Sequence, residues 1–169
     1  GYGHRGIIFT EIRVTAKGEA FFIDATQRFA FPPTLALFES ITNLGDVLIE
    51  GAAGNIITPE IEGKYIVQAN IFSEWAEEHW LPVYFPPKID RYVKLFHCCK
   101  IDGVYNVIPM SEKWDMIGCV VANGNTPEEA IKKCKEYASQ IEGIGIEIKT
   151  DAIDEAYEIF KKKKSRLSR

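Results

Sequence analysis

Two strand-like runs separated by a short polar segment near the start of the chain constrain its fold most. The first run, residues 6–15 (GIIFTEIRVT), is rich in β-branched residues, and the second begins with the apolar residues 20–23 (AFFI). The segment between them, residues 16–19 (AKGE), contains a glycine and two charged residues. Two such runs joined by a glycine-containing turn predict an antiparallel β-hairpin.

The alternation of side chains along this hairpin brings two carboxylates together. Glu11 lies on one face of the first strand, and Asp24 and Thr26 share one face of the second. A loop of two or four residues around Lys17 and Gly18 places Glu11 directly opposite Asp24. A three-residue loop would shift the register and separate the two carboxylates.

Opposed carboxylates require a positive partner. Directly paired side chains have Cβ atoms about 5 Å apart, where like charges destabilise the sheet. A hard cation such as Mg²⁺, which prefers one or two carboxylates together with waters and phosphates, fits this pair, and Arg28 can grip a phosphate or carboxylate through two hydrogen bonds. The alternative, which residue types alone favour, is a solvated face on which the acids pair with nearby cations. These cations are Arg13, Arg28 and Lys17.

The remainder of the chain predicts an α+β fold, with helices packed on antiparallel sheet. Apolar residues recur at helical spacing from Thr34 to Leu48, and glycines end this predicted helix at Gly51 and Gly54. A second helix start is marked by Thr126 as N-cap, followed by Pro127 and Glu129. The other predicted elements are strands over 64–72, 92–99, 104–108, 117–122 and 144–149, a hairpin turn at 102–103 and a helix from 151.

Composition excludes several classes of protein. A net charge of −4 and a pI near 5.5 argue against a nucleic-acid partner. No apolar run reaches the roughly 20 residues of a membrane span, and no secretory pattern opens the chain, so we expect a cytoplasmic protein. The cysteines Cys98, Cys99, Cys119 and Cys134 form no CxxC motif, and we interpret them as reduced packing residues.

The second strand and the residues after it carry a family resemblance. Residues 22–29 (FIDATQRF) resemble the ATP-grasp signature, in which an acid, a spacer, an Asn, a spacer and an Arg follow an aromatic strand. Several members of that family have another acid thirteen positions before the signature acid, as Glu11 precedes Asp24. The resemblance implies that Glu11 and Asp24 hold Mg²⁺ or Mn²⁺ on the phosphates of ATP, and that Arg28 contacts the acyl-phosphate or the substrate. Thr26 stands where the family has Asn, and its hydroxyl is a weaker metal ligand.

Within ATP-grasp enzymes, the chain is most similar to the glycinamide ribonucleotide synthetase family. Residues 93–97 (VKLFH) resemble a strand of that family ending in Phe-His, and residues 117–130 resemble its C-terminal strand, turn and helix start. The resemblance implies a substrate-site role for His97, for which a structural histidine is the alternative. It also implies two regions, residues 1–60 as the C-terminal piece of an ATP-grasp domain and residues 61–169 as a small C-terminal α+β domain.

The function implied by this resemblance is part of an ATP-dependent carboxylate–amine ligase of purine biosynthesis, acting through an acyl-phosphate. Its ligands would be ATP and a small carboxylate or amine. No glycine-rich phosphate loop lies before the hairpin, so we expect activity to require an N-terminal ATP-grasp half. The alternative is an inactive ATP-grasp remnant that serves as a structural or interaction module.

Overall fold

The structure, a computed structural model, describes residues 3–31 and 33–167, with side chains up to residue 163. The chain divides into two compact units, with the boundary between Ile61 and Glu62. Every strand pair is antiparallel, and helices accompany the sheets in both units, so the predicted α+β class is confirmed. No helix of the described residues has the length and apolar character needed to cross a membrane.

The first unit consists of the predicted hairpin and two short helices. Its elements are β1 (Phe9–Val14), β2 (Ala20–Thr26), α1 (Thr34–Ser40) and α2 (Leu44–Ala53). A chain of edge-to-face ring contacts joins hairpin to helix, with 6.4 Å between the ring centroids of Phe9 and Phe29 and 4.7 Å between those of Phe29 and Phe38. Such contacts fix the segment that follows β2 against α1.

The single helix predicted from Thr34 to Leu48 is wrong, because the chain breaks between α1 and α2. Ile41 is extended (φ −90°, ψ 108°) and forms an isolated antiparallel bridge with Ile61. The Asn43 side chain accepts a hydrogen bond from the Glu60 amide at 2.9 Å and donates one to the Thr58 carbonyl at 3.2 Å. A segment distant in sequence thus replaces local helical hydrogen bonds, which apolar periodicity does not reveal.

The second unit is built on two antiparallel sheets. The four-stranded sheet has the order β5-β8-β3-β9, and the three-stranded sheet has the order β4-β7-β6. The strands are β3 (Tyr65–Phe72), β4 (Leu81–Val83), β5 (Val93–Leu95), β6 (Cys98–Ile101), β7 (Val104–Val107), β8 (Met116–Gly124) and β9 (Glu147–Ile148). Two α-helices, α3 (Pro127–Ala138) and α4 (Asp151–Leu167), and 3-10 turns at Glu74–Glu77 and Pro87–Tyr92 complete this unit.

Helix α3 begins where the sequence predicts. The Thr126 hydroxyl accepts a hydrogen bond from the Glu129 amide at 3.2 Å, and the Glu129 carboxylate accepts one from the Asn125 amide at 2.8 Å. The first bond satisfies an amide that the first turn leaves without a helical partner, and the second ties the helix to the residue before its N-cap. The helix buries Ala130, Cys134 and Ala138.

The strand predicted over residues 92–99 is interrupted. His97 has a φ of 42° and separates β5 from β6, so the chain changes from one sheet to the other at this residue. The turn that follows β6 is the predicted hairpin turn, with Asp102 and Gly103 at φ 48° and 83°. Positive φ at both central residues is typical of the two-residue turns that suit twisted strands.

All four cysteines are free thiols, and two of them are deeply buried. Burial raises the pKa of the Cys119 and Cys134 thiols to about 12, whereas Cys98 and Cys99 are only partly buried. Because the thiolate is the reactive form, the two buried thiols are protected by both inaccessibility and protonation.

We expect a maleimide at pH 8 to label only Cys98 and Cys99 in the folded chain, and all four thiols in urea, as mapped by mass spectrometry of peptides. Labelling of Cys119 or Cys134 as rapidly as Cys98 in the absence of urea would contradict the packing described here.

Candidate functional site

The hairpin of the first unit brings together the two carboxylates singled out in the sequence. Glu11 of β1 pairs directly with Asp24 of β2, and Phe9 pairs with Thr26. The predicted opposition of Glu11 and Asp24 is therefore confirmed. Both acids are exposed to solvent, as is Arg28, whereas Thr26 is partly buried at the end of β2.

The register arises by a different route from the predicted one. The loop has three residues, 16–18, closed by a hydrogen bond of 3.0 Å from the Thr15 amide to the Glu19 carbonyl. Gly18 supplies a φ of 83°, which a three-residue hairpin loop with a left-handed last residue requires. The prediction of a two- or four-residue loop was wrong.

A β-bulge restores the pairing that the loop alone would shift. Next to the loop, Val14 pairs with Ala20 and Ile12 with Phe22, and the register then changes between Glu11 and Ile12. One extra residue of β2, Ile23, is accommodated there. A bulge places two residues of one strand opposite one of the other, so Asp24 returns to the position opposite Glu11.

The Thr15 hydroxyl organises the loop that sets this register. Its oxygen accepts hydrogen bonds from the amides of Lys17 at 3.3 Å and Glu19 at 3.2 Å, and its hydroxyl donates to the Glu19 carboxylate at 3.4 Å. Sequence reasoning did not single out Thr15 or Ile23. The signal that could have identified Thr15 is a hydroxyl residue three positions before a glycine in a short turn. Ile23 has no such signal, because a bulge depends on how the two strands pair.

The charges of the site are partly satisfied within the hairpin itself. Glu11 Oε1 lies 2.6 Å from Arg13 Nη2, and this ion pair is exposed to solvent. Asp24 Oδ1 accepts a hydrogen bond of 2.8 Å from the amide of Ala25. Glu11 therefore makes the ion pair with Arg13 that the solvated-face interpretation expects, although an exposed pair of this kind stabilises by about 1 kcal/mol or less.

The predicted phosphate or substrate ligand Arg28 has an alternative partner in the structure. Its Nη1 donates a hydrogen bond of 2.9 Å to the carbonyl of the next residue, Phe29. The side chain is exposed, and a single neutral acceptor leaves most donors of its guanidinium available to a ligand.

His97 belongs to the second unit, apart in sequence from the carboxylate pair. Its side chain is exposed, and its carbonyl accepts a hydrogen bond of 2.8 Å from the amide of Ile108. The residue thus has a backbone role, since it carries the chain between two sheets with a positive φ. A contact between its side chain and a substrate stays a prediction.

Within the described part of the chain, no three or more His, Cys, Asp or Glu side chains group in a way that could hold a metal ion. The Glu11–Asp24 pair is accordingly a site of two carboxylates. Mg²⁺ commonly completes such a site with waters and substrate phosphates.

The fold defined by these elements is that of part of the ATP-grasp ligases. Phosphoribosylamine–glycine ligase of Thermotoga maritima matches with a TM-score of 0.60 and 15% identity over 83% of this chain and 35% of that one. Biotin carboxylase of Campylobacter jejuni, solved as a β-γ-ATP complex, matches with a TM-score of 0.60 and 20% identity over 88% of this chain and 34% of that one. No protein-family model and no curated protein matches the sequence.

A third match has the same character. The biotin carboxylase domain of a single-chain bacterial carboxylase has a TM-score of 0.52 and 17% identity over 88% of this chain and 36% of that one. At these identities the likeness establishes the fold alone. The chain spans about a third of the length of the three proteins.

The Thr15 network yields a test of the hairpin. Replacing Thr15 by Ala removes an acceptor of two loop amides, and the loss of about 1 kcal/mol should speed amide hydrogen exchange in β1 and β2 roughly fivefold. Thr15→Ser keeps the hydroxyl and should exchange like the natural chain. Unchanged β1 and β2 exchange in Thr15→Ala would show that the loop does not depend on this side chain.

Proposed function

We propose that this chain is part of an ATP-dependent, Mg²⁺-dependent carboxylate–amine ligase that acts through an acyl-phosphate, similar to phosphoribosylamine–glycine ligase. Its fold is shared with ATP-grasp ligases. The observation that carries the proposal is the direct pairing of Glu11 with Asp24 at an exposed position of the hairpin. One of the similar structures is a complex with an ATP compound, which supports a nucleotide as the ligand.

The chemistry of the donor set fits a nucleotide-bound Mg²⁺ or Mn²⁺. Glu11 and Asp24 supply two hard oxygen donors from adjacent strands, and both are accessible. Thr26 offers a third, weaker oxygen. A divalent ion held there would neutralise charge on the phosphates during phosphoryl transfer.

The chain's own cations have opposite effects on this site. Arg28 would position the substrate carboxylate or the acyl-phosphate through paired hydrogen bonds, using donors that its bond to the Phe29 carbonyl leaves available. Arg13 competes with a metal for Glu11, because it lies 2.6 Å from that carboxylate. A metal ion bound through Glu11 Oε1 would therefore displace Arg13 Nη2.

The remainder of the proposal concerns the whole enzyme. ATP would be held against this chain by an N-terminal ATP-grasp half, and the small carboxylate or amine substrate would lie at Arg28. His97 of the second unit stays, by itself, a predicted substrate contact. Residues 1–60 would complete the ATP-grasp domain, and residues 61–169 would form the C-terminal domain. We place the enzyme in the cytoplasm and its reaction in purine biosynthesis.

A second candidate function is an inactive ATP-grasp remnant that acts as a structural or interaction module. Two observations favour it. Thr26 replaces the family's Asn with a weaker metal ligand, and Glu11 is already paired with Arg13. The affinity of the Glu11–Asp24 pair for a metal ion distinguishes the ligase from the inactive remnant.

Titration with Mn²⁺, followed by the electron paramagnetic resonance signal of the free ion with and without ADP, tests the metal site. Asp24→Asn should weaken Mn²⁺ binding about tenfold or more, because it removes one of two charged ligands. Arg13→Gln should strengthen binding up to about fivefold by freeing Glu11 from an exposed pair worth at most about 1 kcal/mol.

The matched control for charge is Asp46→Asn, an exposed acid of α2 in the same unit, which should bind Mn²⁺ like the natural chain. Equal affinities for Asp24→Asn and Asp46→Asn would remove the metal-site assignment.

The gene provides a test of the ligase class that does not depend on metal affinity. We expect the coding sequence upstream of residue 1 to specify a glycine-rich phosphate loop and lysine-bearing strands, since phosphoryl transfer requires groups that cradle the nucleotide phosphates. Sequencing of the complete gene and its transcript checks this. A complete reading frame without these features would overturn the ligase proposal and favour the interaction module.

A further inference from the structure

A groove in the second unit runs along an open edge of the four-stranded sheet. Strand β3 pairs with β8 along its whole length, from Tyr65 to Phe72, but β9 pairs only with Ile71 and Phe72. In an antiparallel sheet, alternate residues direct their N–H and C=O groups to the side away from a given neighbour. Among the described residues, no strand pairs with Tyr65–Asn70 on that side.

Helix α4 forms the opposite wall of this groove, which has a volume of about 540 Å³. Six consecutive β3 residues, Tyr65–Asn70, line one wall. The α4 residues that line the groove form an apolar wall and recur at helical spacing. These residues are Ala152, Ile153, Ala156, Tyr157 and Phe160.

Contacts within the unit hold α4 beside the open edge. The ring of Phe160 lies 6.2 Å from that of Tyr65, measured between centroids, and Ile153 is buried. The Lys135 ammonium of α3 lies 2.6 Å from the Asp154 carboxylate of α4. The groove is therefore flanked by packed elements on both sides.

Two polar features of the groove identify what would fit it. Gln68 Oε1 is buried and has no hydrogen-bond partner among the described residues, although Gln68 Nε2 donates to Asn70 Oδ1 at 2.9 Å. Lys149 is the one charged residue among those lining this groove, and it directly follows β9, where that strand stops. A ligand therefore binds more tightly if it donates a hydrogen bond to Gln68 Oε1 and carries a negative charge near Lys149.

We propose that this groove binds an extended peptide segment of another protein by strand addition, with β3 as the template and α4 as the opposite wall. The peptide would continue the sheet where β9 ends and bond to the open backbone groups from Tyr65 to Asn70. About six residues match this length, since each strand residue spans about 3.4 Å. Alternate apolar side chains would contact α4, and an acidic group would lie at Lys149.

Strand addition accounts for both the open backbone groups of β3 and the apolar wall formed by α4. Backbone hydrogen bonds supply affinity that does not depend on sequence, and pockets for alternate side chains supply specificity. The single cation makes an acidic peptide a better fit than a basic one. This inference is independent of the ligase proposal, because the residues that line the groove all belong to the second unit.

Selection of a phage-displayed library of random 12-residue peptides against the 169-residue chain tests the proposal. Enriched peptides should have alternating apolar residues and an acidic residue, and a synthetic copy of one such peptide should slow amide hydrogen exchange at 65–70.

Ala156→Trp fills the groove and should weaken binding of that peptide at least tenfold. Ile159→Trp, on an exposed residue of α4 that does not line the groove, should bind like the natural chain.

A second variant pair tests the charge without altering the packing. Lys149→Gln should weaken binding up to about fivefold, as expected for an exposed pair, and Lys163→Gln, an equal change of charge on exposed α4 surface, should have no effect. The proposal is overturned if no peptide is enriched, or if the enriched peptides bind Ala156→Trp as well as Ile159→Trp. Self-association abolished by Ala156→Trp in sedimentation would overturn it too, by identifying a second copy as the occupant.

Discussion

The buried strand β8 is the element on which the second unit depends. Each of its residues from Met116 to Gly124 is buried, and it pairs with both β3 and β5 while α3 packs against it. A Cβ on Gly118 would lie 2.2 Å from the carbonyl oxygen of Lys94, so the approach of β5 requires glycine at that position. Apolar burial of this kind stabilises by roughly 25 cal/mol per Å², and it fixes where β3 and α3 lie.

The first unit has a different physical basis. Its hairpin is held by backbone pairing, the Thr15 network and ring contacts through Phe29, and large apolar side chains of both strands are exposed. These include Ile12, Phe21 and Phe22. Because an isolated two-stranded hairpin is marginally stable in water, the exposed apolar surface is consistent with the proposal that an N-terminal half packs against this unit. The proposed metal ligands Glu11 and Asp24 thus lie on an element that stands to gain order from partner contacts.

The two proposals place different chemistry on the two units. The hairpin offers exposed carboxylates and an arginine, which suit a phosphate-bound cation. The β3–α4 groove offers backbone groups, an apolar wall and one lysine, which suit an extended acidic segment. The proposed metal site and the proposed peptide groove are therefore compatible within one chain, because they use residues of different units.

The opposition of Glu11 to Asp24 follows from side-chain alternation only together with the bulge in β2, which offsets the three-residue loop. The sequence by itself determined the α+β class, the start of α3 at Thr126 and the Asp102–Gly103 turn. These features depend on local rules of capping, turn conformation and side-chain alternation, which a short segment carries within itself. The tertiary structure decided the break between α1 and α2, the three-residue loop with its compensating bulge and the switch of sheets at His97. It also decided the open edge of β3. The loop and its bulge depend on how the two neighbouring strands pair, which side-chain alternation alone does not fix. The break between the helices, the switch of sheets and the open edge depend on where distant segments pair, as the Glu60 amide does with Asn43, and hydrogen bonds between residues far apart in the chain leave no periodic signal in the sequence.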